Sequence, residues 1–420
     1  MKLLFKLLGF FIGLYCLRIG DISLLFFPLL IILLMNILKK IRVNKNIMIL
    51  YYILILISIF FGLKYNDLFY TNLKSFETIR VIIFIYMAIF LKIKNNYIEE
   101  FLRGIKYTIF LNLVWATFEL ILWNLNGFAL NDYIFRIVLK IETTHTWLNI
   151  RNGNIRVCGF SWDPLNLGIL SSMGYFLYKN KYMKSYSLVI LYFTGSRAGQ
   201  LGLILTILCN YILKNKFKLE EIIKKYLIIL MLCIFGIWIY TNKIQNISAT
   251  GDLRRKAYYL SAVKSTLINN ELGSFLFGGS PFYSGNILAS NEILVKETYL
   301  NERMTTSNWK IESDWAHILT GRGWIGLISY FGLFIFSYFK IKEYNLQMSQ
   351  MILLYFFAGI GYYYENSIFI NILLIYVNQN YKFKLNKREV RYERNNISRR
   401  KWNETLSNNK SNIKTDKSNI

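Results

Sequence analysis

Long apolar runs constrain the fold of this chain more than any other feature of its sequence. Stretches of roughly 15–20 apolar residues, the length that a membrane-spanning helix needs, recur along most of the chain. They lack both the helical period and the alternation of soluble amphipathic segments. With 54% hydrophobic residues, 17% aromatic residues and 3 prolines among 420 residues, the sequence predicts an all-α polytopic membrane protein.

The apolar runs predict about twelve transmembrane helices in a single integral membrane domain that covers residues 1–378. The predicted segments lie near residues 3–19, 22–38, 47–63, 79–93, 105–125, 163–178, 186–194, 199–213, 226–241, 315–339, 350–363 and 366–378. The first run follows two lysines and has no A-x-A-like cleavage site. We therefore interpret it as an uncleaved membrane helix rather than a signal peptide.

The distribution of basic residues indicates the orientation. Most of the 50 Lys and Arg residues fall in the short loops on one side of the predicted helices or in the C-terminal segment. Cytoplasmic loops carry such an excess, so the pattern predicts a multi-pass protein whose N- and C-termini are both cytoplasmic. The tail, residues 379–420, is basic and rich in Asn and Ser, which predicts a segment that is disordered or lies on anionic lipid.

The net charge of +26 does not indicate a nucleic-acid partner. Topology accounts for much of it, and the abundance of Asn, Ile, Lys and Tyr points to an AT-rich coding sequence that accounts for part of the rest. No basic face with interleaved aromatic residues lies outside the apolar runs. The four cysteines form no disulfide framework or Cys-x-x-Cys pair, and the sequence predicts neither a metal nor a cofactor.

Two long loops, residues 126–162 and 242–314, are predicted to face outward, and the second is long enough to contain helices of its own. The arginines of interest on this side are Arg151, Arg156, Arg197, Arg254 and Arg255. Each alone is explained as an interfacial anchor whose charge reaches the lipid headgroups. Arg197, however, lies in the tight turn TGSRAG, and a guanidinium matches phosphate oxygens in a bidentate geometry. The set therefore predicts a site for a phosphate at the outer face.

Three glycines near the tenth predicted helix have the spacing of a dinucleotide-binding turn. Gly321, Gly323 and Gly326 spell G-x-G-x-x-G, but that fingerprint requires a soluble βαβ unit that this chain does not offer. We expect these glycines to begin the tenth helix instead. Without side chains, they allow another helix or a substrate to approach its backbone closely.

Four motifs between residues 150 and 340 follow one another in a recognisable order. They are RVCGFSWDPLNLG at 156–168, YFTGSRAGQLGL at 192–203, TGDLRRKAYY at 250–259 and ESDWAHILTGRGWIG at 312–326. In this order they resemble the bacterial O-antigen polymerase and O-antigen ligase family, which also occurs in capsule and exopolysaccharide loci. The first motif is similar to the family's R-x-x-G-x-x-x-[DE]-P-N-x-x-G, with Leu165 inserted before Asn166.

The resemblance implies a glycosyltransferase that polymerises polyprenyl-diphosphate-linked oligosaccharide repeat units at the outer face of the bacterial cytoplasmic membrane. Arginines would hold the diphosphate without a metal, namely Arg156, Arg197 and one of Arg254 and Arg255. His317 would be the general base, oriented by Asp314 or Glu312. The secondary candidates are Arg151, Asp163, His145 and Arg322. Implied partners are membrane lipid, a flippase and a chain-length regulator.

Other functions and roles remain open at this point. A ligase of the same family would transfer finished polymer to a lipid or protein acceptor, and a flippase would carry the lipid-linked oligosaccharide across the bilayer. A flippase is expected to place ionisable groups along a midplane cavity, whereas the predicted helices here are nearly uncharged, with Glu119 as the main exception. A non-catalytic channel or receptor is a further possibility. Asp163 has an alternative role as a helix N-cap, and His317 has one as a packing residue.

Overall fold

Helices dominate the part of the chain that the structure describes. The computed structural model describes residues 1–14, 17–19, 22–37, 46–61, 71–140, 149–151, 154–161, 163–213, 262, 272–278, 313–342, 344–362 and 367–379. The α-helices are α1 (Lys2–Ile12), α2 (Phe26–Ile37), α3 (Met48–Phe61), α4 (Thr71–Phe90), α5 (Asn95–Asn126), α6 (Pro164–Leu177), α7 (Lys181–Thr194), α8 (Arg197–Leu213), α9 (Leu272–Phe277), α10 (Asp314–Lys342), α11 (Leu346–Ala358) and α12 (Ile368–Asn378). Two short antiparallel pairs join β1 (Arg18–Ile19) to β2 (Ile22–Ser23) and β3 (Ile150–Arg151) to β4 (Asn154–Ile155). The described residues therefore form an all-α protein with two small hairpins.

Each predicted segment that falls on described residues overlaps one of these helices, but the first was predicted too long, because α1 ends at Ile12 and Arg18 and Ile19 form β1. The segment near 226–241 and most of the loop 242–314 lie outside the described residues, as do residues 380–420. Gln379, the first residue of the predicted tail, belongs with the helices. Its Nε2 donates to the carbonyl of Leu91 at 2.5 Å, and its Oε1 accepts from the amide of Ile93 at 3.1 Å.

Two of the described helices are long and apolar enough to cross a membrane. They are α5, with 32 residues, and α10, with 29 residues when counted through the break at Gly323 that is described below. Other apolar helices, among them α3, α11 and α12, have between 10 and 17 residues, less than the roughly 20 residues that a straight span needs. Helix length by itself therefore supports two spans among the described residues, and the other predicted spans remain predictions.

The middle of helix α5 has polar residues on its buried side and large apolar residues on its exposed side. Thr108, Asn112 and Glu119 are buried, whereas Phe110 and Phe118 are 50% and 52% exposed. A surface helix of a soluble protein shows the reverse arrangement, with its apolar stripe facing the core. The outer surface of α5 is thus suited to an apolar environment.

Glycines bring α1 directly against α5. A Cβ at Gly9 would overlap the carbonyl of Phe101, and a Cβ at Gly104 would overlap the carbonyl of Lys6. Small residues at a helix crossing allow the two backbones to touch in this way. This contact fixes the first helix against the longest one, which carries much of the candidate site described below.

Hydrogen bonds gather one set of helix ends at the same end of the bundle. Asn46, before α3, donates from Nδ2 to the carbonyl of Ile375 in α12 at 3.1 Å. Lys340, near the end of α10, donates to the carbonyl of Gln379 at 3.5 Å. Together with the bonds from Gln379 to the end of α4, these contacts join the start of α3 to the ends of α4, α10 and α12. The predicted alternation of spans places the same four ends on one side.

Helix α10 is not one straight helix. The hydroxyl of Tyr330 lies 3.3 Å from Oδ2 of Asp314, and the rings of Trp315 and Phe331 have centroids 4.6 Å apart. Sixteen positions along a straight helix would separate such residues by about 24 Å, far beyond the reach of their side chains. The residues before Gly323 must therefore fold back against those after it. The prediction of a single span over 315–339 was wrong in this respect, and we call residues 314–322 the re-entrant arm.

The fold-back occurs at a glycine that no other residue replaces without strain. Gly323 has φ 63° and ψ −167°, a backbone region that is essentially restricted to glycine. A Cβ there would lie 2.5 Å from the carbonyl carbon of Leu276 in α9. A Cβ at Gly278 would in turn overlap the backbone of Gly321. The glycines thus admit a second backbone, as expected from the sequence, but they turn the chain rather than begin the helix.

This geometry gives a matched pair of substitutions in α10. We expect Gly323→Ala to lower the unfolding free energy by about 1–3 kcal/mol from backbone strain, with the clash against α9 added to it. Gly332→Ala is the control, since a Cβ at Gly332 meets no described atom within 4 Å and alanine is favoured in a helix. Thermal unfolding of the purified protein in detergent measures both. Equal midpoints for the two variants would contradict the fold-back.

Candidate functional site

The segment that carries Arg156 is held in place by polar side chains of α5. Glu119 accepts hydrogen bonds from the amides of Cys158 and Gly159 at 3.2 and 2.8 Å. Asn112 accepts from the amide of Phe160 at 2.8 Å. Because Glu119 and Asn112 are buried, these bonds are shielded from water and hold the loop firmly. The isolated acid in the apolar run of α5 therefore has a structural role, which is to fix this loop.

Cys158 is a packing residue of the same loop. Burial raises the pKa of its thiol well above the usual value. A thiol in such surroundings stays protonated and unreactive. Its Sγ accepts a hydrogen bond from Asn149 at 3.4 Å, which joins the loop to the residue before β3.

Arg156 reaches the turn that contains Arg197. Its Nε donates to the carbonyl of Thr194 at 2.9 Å, and its Nη2 donates to the carbonyl of Gly195 at 3.4 Å. Gly195 ends α7 in the left-handed conformation, with φ 57°, which glycine adopts without cost. Helix α8 then begins at Arg197. The structure thus brings together two of the predicted arginines from segments 41 positions apart, both of them half-buried.

Asp163 is the N-cap of α6 and also contacts a distant turn. Its Oδ1 accepts from the amide of Leu165 at 2.8 Å, and its Oδ2 accepts from the hydroxyl of Tyr362 at 2.8 Å. The capping role that the sequence offered as an alternative is present. Gly168, one turn further into α6, lies so close to Ser196 that a Cβ would overlap it. The start of α6 therefore packs directly on the turn before Arg197.

The start of the re-entrant arm packs against the same region. The amide of Asp314 donates to the carbonyls of Gly359 and Tyr362 at 2.8 and 3.2 Å. Since the hydroxyl of Tyr362 is bonded to Asp163, Tyr362 bridges the two aspartates. The start of α6, the turn before α8, the end of α11 and the start of α10 therefore meet at one place. We call this group of four helix ends, with Arg156 beside it, the outer cluster.

His317 lies one helical turn into the arm. Its amide donates to the carbonyl of Ser313 at 2.9 Å, so residues 313–317 are helical and the side chains of Asp314 and His317 share a face. Both residues are fully buried. A molecule from outside could contact them only by entering between the helices.

Arg322 lies elsewhere. It is 2% exposed, its Nη1 donates to the hydroxyl of Tyr51 in α3 at 2.6 Å, and its guanidinium lies over the ring of the same tyrosine. The prediction placed Arg322 with the outward-facing groups, whereas the structure encloses it between α10 and α3. A buried cation on a tyrosine ring stabilises the packing of these helices.

The remaining predicted site residues have little or no described structure. Glu312, Arg254, Arg255 and His145 lie outside the described residues, and of Arg151 the structure describes the strand position in β3. Among the described residues, no three His, Cys, Asp or Glu side chains come together as a candidate metal site. Of the arginines that the sequence predicted to hold the diphosphate, Arg156 and Arg197 are therefore the two that the structure describes.

Three tyrosines that contact predicted site residues were not predicted from the sequence. Tyr51, Tyr330 and Tyr362 each contact a predicted site residue through their hydroxyl groups. They are three of 31 tyrosines and none lies in a motif, so the sequence held no signal that distinguished them. Comparison of the chain with models of known protein families and with curated proteins found no match.

Proposed function

We propose that this chain is a polytopic enzyme of the bacterial cytoplasmic membrane that joins polyprenyl-diphosphate-linked oligosaccharide repeat units into a surface polysaccharide. The membrane assignment is supported by α5 and by the exposed apolar side chains of α10, where Ile328 is 67% exposed. Exposed apolar surface of this extent is unfavourable in water. The agreement between the gathered helix ends and the predicted alternation of spans supports the same assignment.

One observation supports the enzymatic part of the proposal more than any other. The outer cluster assembles Arg156, Arg197, Asp163 and Asp314 from four separate segments at one end of the bundle. Packing alone does not require charged residues from so many segments at one place, since charged groups are costly within a membrane protein. Four charged residues on chain segments that meet at one place favour a site over a set of independent lipid anchors.

In the proposed reaction, a sugar hydroxyl of one unit attacks the anomeric carbon of the unit at the reducing end of the growing chain. The new C–O bond forms as the bond from that carbon to the diphosphate oxygen breaks, and the electron pair remains on the diphosphate. Arg197 stabilises this charge, assisted by the positive end of the α8 dipole. Arg156 holds the turn in position. His317 accepts the proton of the attacking hydroxyl, and Asp314 orients this end of the arm.

A deletion strain tests the function and separates it from transfer to an acceptor. Loss of a polymerase is expected to leave acceptor molecules that carry a single repeat unit, with the polymer ladder absent. Loss of a ligase would leave long polymer on the lipid carrier, and loss of a flippase would trap single units inside. Gel analysis of the surface polysaccharide and of extracted carrier lipid, with the wild-type gene returned as the control, distinguishes the three. An unchanged ladder in the deletion strain would refute the proposal.

A further inference from the structure

The hydroxyl of Tyr330 is placed against the carboxylate of Asp314 by the fold-back of α10. The two groups are 3.3 Å apart although sixteen positions separate them in the sequence. Asp314 is fully buried and Tyr330 is 1% exposed. A buried carboxylate depends strongly on each donor that it keeps, because no water replaces a lost one.

The ring of Tyr330 has little freedom to move. It lies 4.6 Å from the ring of Phe334, 6.2 Å from that of Phe356 and 6.4 Å from that of Tyr51, measured between centroids. These rings come from α10 itself, α11 and α3. The hydroxyl is therefore held at a fixed position by three helices, and the carboxylate that it contacts is fixed with it.

Both ends of the re-entrant arm are held by contacts that do not involve the hydroxyl of Tyr330. Arg322, the last residue of the arm, donates to the hydroxyl of Tyr51 at 2.6 Å, and the amide of Asp314, the first residue, donates to the carbonyl of Gly359 at 2.8 Å. Loss of the Tyr330 hydroxyl would therefore leave the arm in place. What it would change is the orientation of the Asp314 side chain.

We infer that Tyr330 is a positioning residue for Asp314, and that through Asp314 it sets the geometry of the buried face shared with His317. This rests on the proposed function, in which that face serves the attacking hydroxyl. Tyr330 itself does not contact the substrate. Its contribution is to keep the carboxylate in one orientation, so that the acid–base pair is arranged before the substrate enters.

The experiment compares two tyrosines of the same helix. Tyr338 is also buried, and its hydroxyl contacts Asn210 in α8 at 3.2 Å. The full chain, in liposomes, is given lipid-linked repeat units extracted from a strain that lacks it, and the rate of polymer formation is measured. We expect Tyr330→Phe to lower kcat about tenfold, the effect of losing one hydrogen bond to a charged group. KM should stay unchanged, and Tyr338→Phe should keep both constants.

A double variant shows whether Tyr330 acts through Asp314. We expect Asp314→Asn to lower kcat more than Tyr330→Phe does, and the double variant to be no slower than Asp314→Asn alone. Full kcat in Tyr330→Phe beside an impaired Asp314→Asn, or losses that multiply in the double variant, would overturn the inference and leave the proposed function standing. Full activity in Asp314→Asn would remove Asp314 from the proposed mechanism and the inference with it.

Discussion

Arg197→Ala is expected to abolish polymer formation while the protein remains in the membrane. Arg197 is the first residue of α8. The turn before it is held by the hydrogen bonds that Arg156 donates to the carbonyls of Thr194 and Gly195. In the proposed reaction its guanidinium opposes the charge that develops on the departing diphosphate, and groups of this kind lower reaction barriers by several kcal/mol. The polymer ladder of a strain that carries the variant, with protein abundance in the membrane fraction, measures the effect.

Two further arginine variants make this result specific. Arg197→Lys keeps the charge and loses the planar fork, so poor rescue is expected if the diphosphate is bound in a bidentate manner. Arg136→Ala is the control, because Arg136 is an exposed arginine of the loop 126–162, which is predicted to face outward, and it pairs with Asp132 at 2.6 Å. Exposed pairs contribute little, so a normal ladder is expected there. A normal ladder in Arg197→Ala would remove the arginine from the mechanism.

The sequence predicted the approximate positions of most described helices because each of these helices contains an apolar run, although α1 ends earlier and α5 begins earlier than predicted. It did not predict the fold-back of α10, since the run through Gly323 is continuous and hydropathy carries no information on chain direction. A signal was present in the three closely spaced glycines. Their number indicated a close approach of another backbone, but only the φ and ψ angles of Gly323 distinguish a turn from a helix crossing.

Side-chain chemistry allowed individual residues of the candidate site to be predicted, but it did not predict the contacts between them. Arg156 and Arg197 were selected because guanidinium groups are unusual at such positions, and the structure places both at one turn. The hydroxyl of Tyr362 reaches Asp163 from 199 positions away, a pairing that depends on how the helices pack. Tyrosine is so common in this chain that no local pattern separates such a residue from an interfacial one.

His317→Ala is expected to lower the rate of polymer formation by about two to four decades, the range for loss of a general base. The imidazole is fully buried on the face of the re-entrant arm that also carries Asp314. In the proposed reaction it serves a hydroxyl that enters the bundle, and without it the attacking hydroxyl would lose the proton acceptor that this mechanism places there. Single-turnover rates with extracted lipid-linked repeat units measure the loss in the chemical step, and KM from steady-state rates should change little.

Because His317 is buried, its removal also leaves a cavity in the arm, and the control has to account for that. Thr320 lies on the same arm, is 3% exposed and donates to the carbonyl of Ala316 at 2.9 Å. Thr320→Val removes a buried hydroxyl one helical turn after His317 at nearly constant volume, so it tests whether a small disturbance of packing in the arm slows turnover. His317→Gln keeps a polar side chain but cannot act as a base at neutral pH. Slow turnover in both His317 variants, with normal turnover in Thr320→Val, would separate the loss of a base from a disturbance of packing. Normal turnover in His317→Gln would assign the histidine to structure.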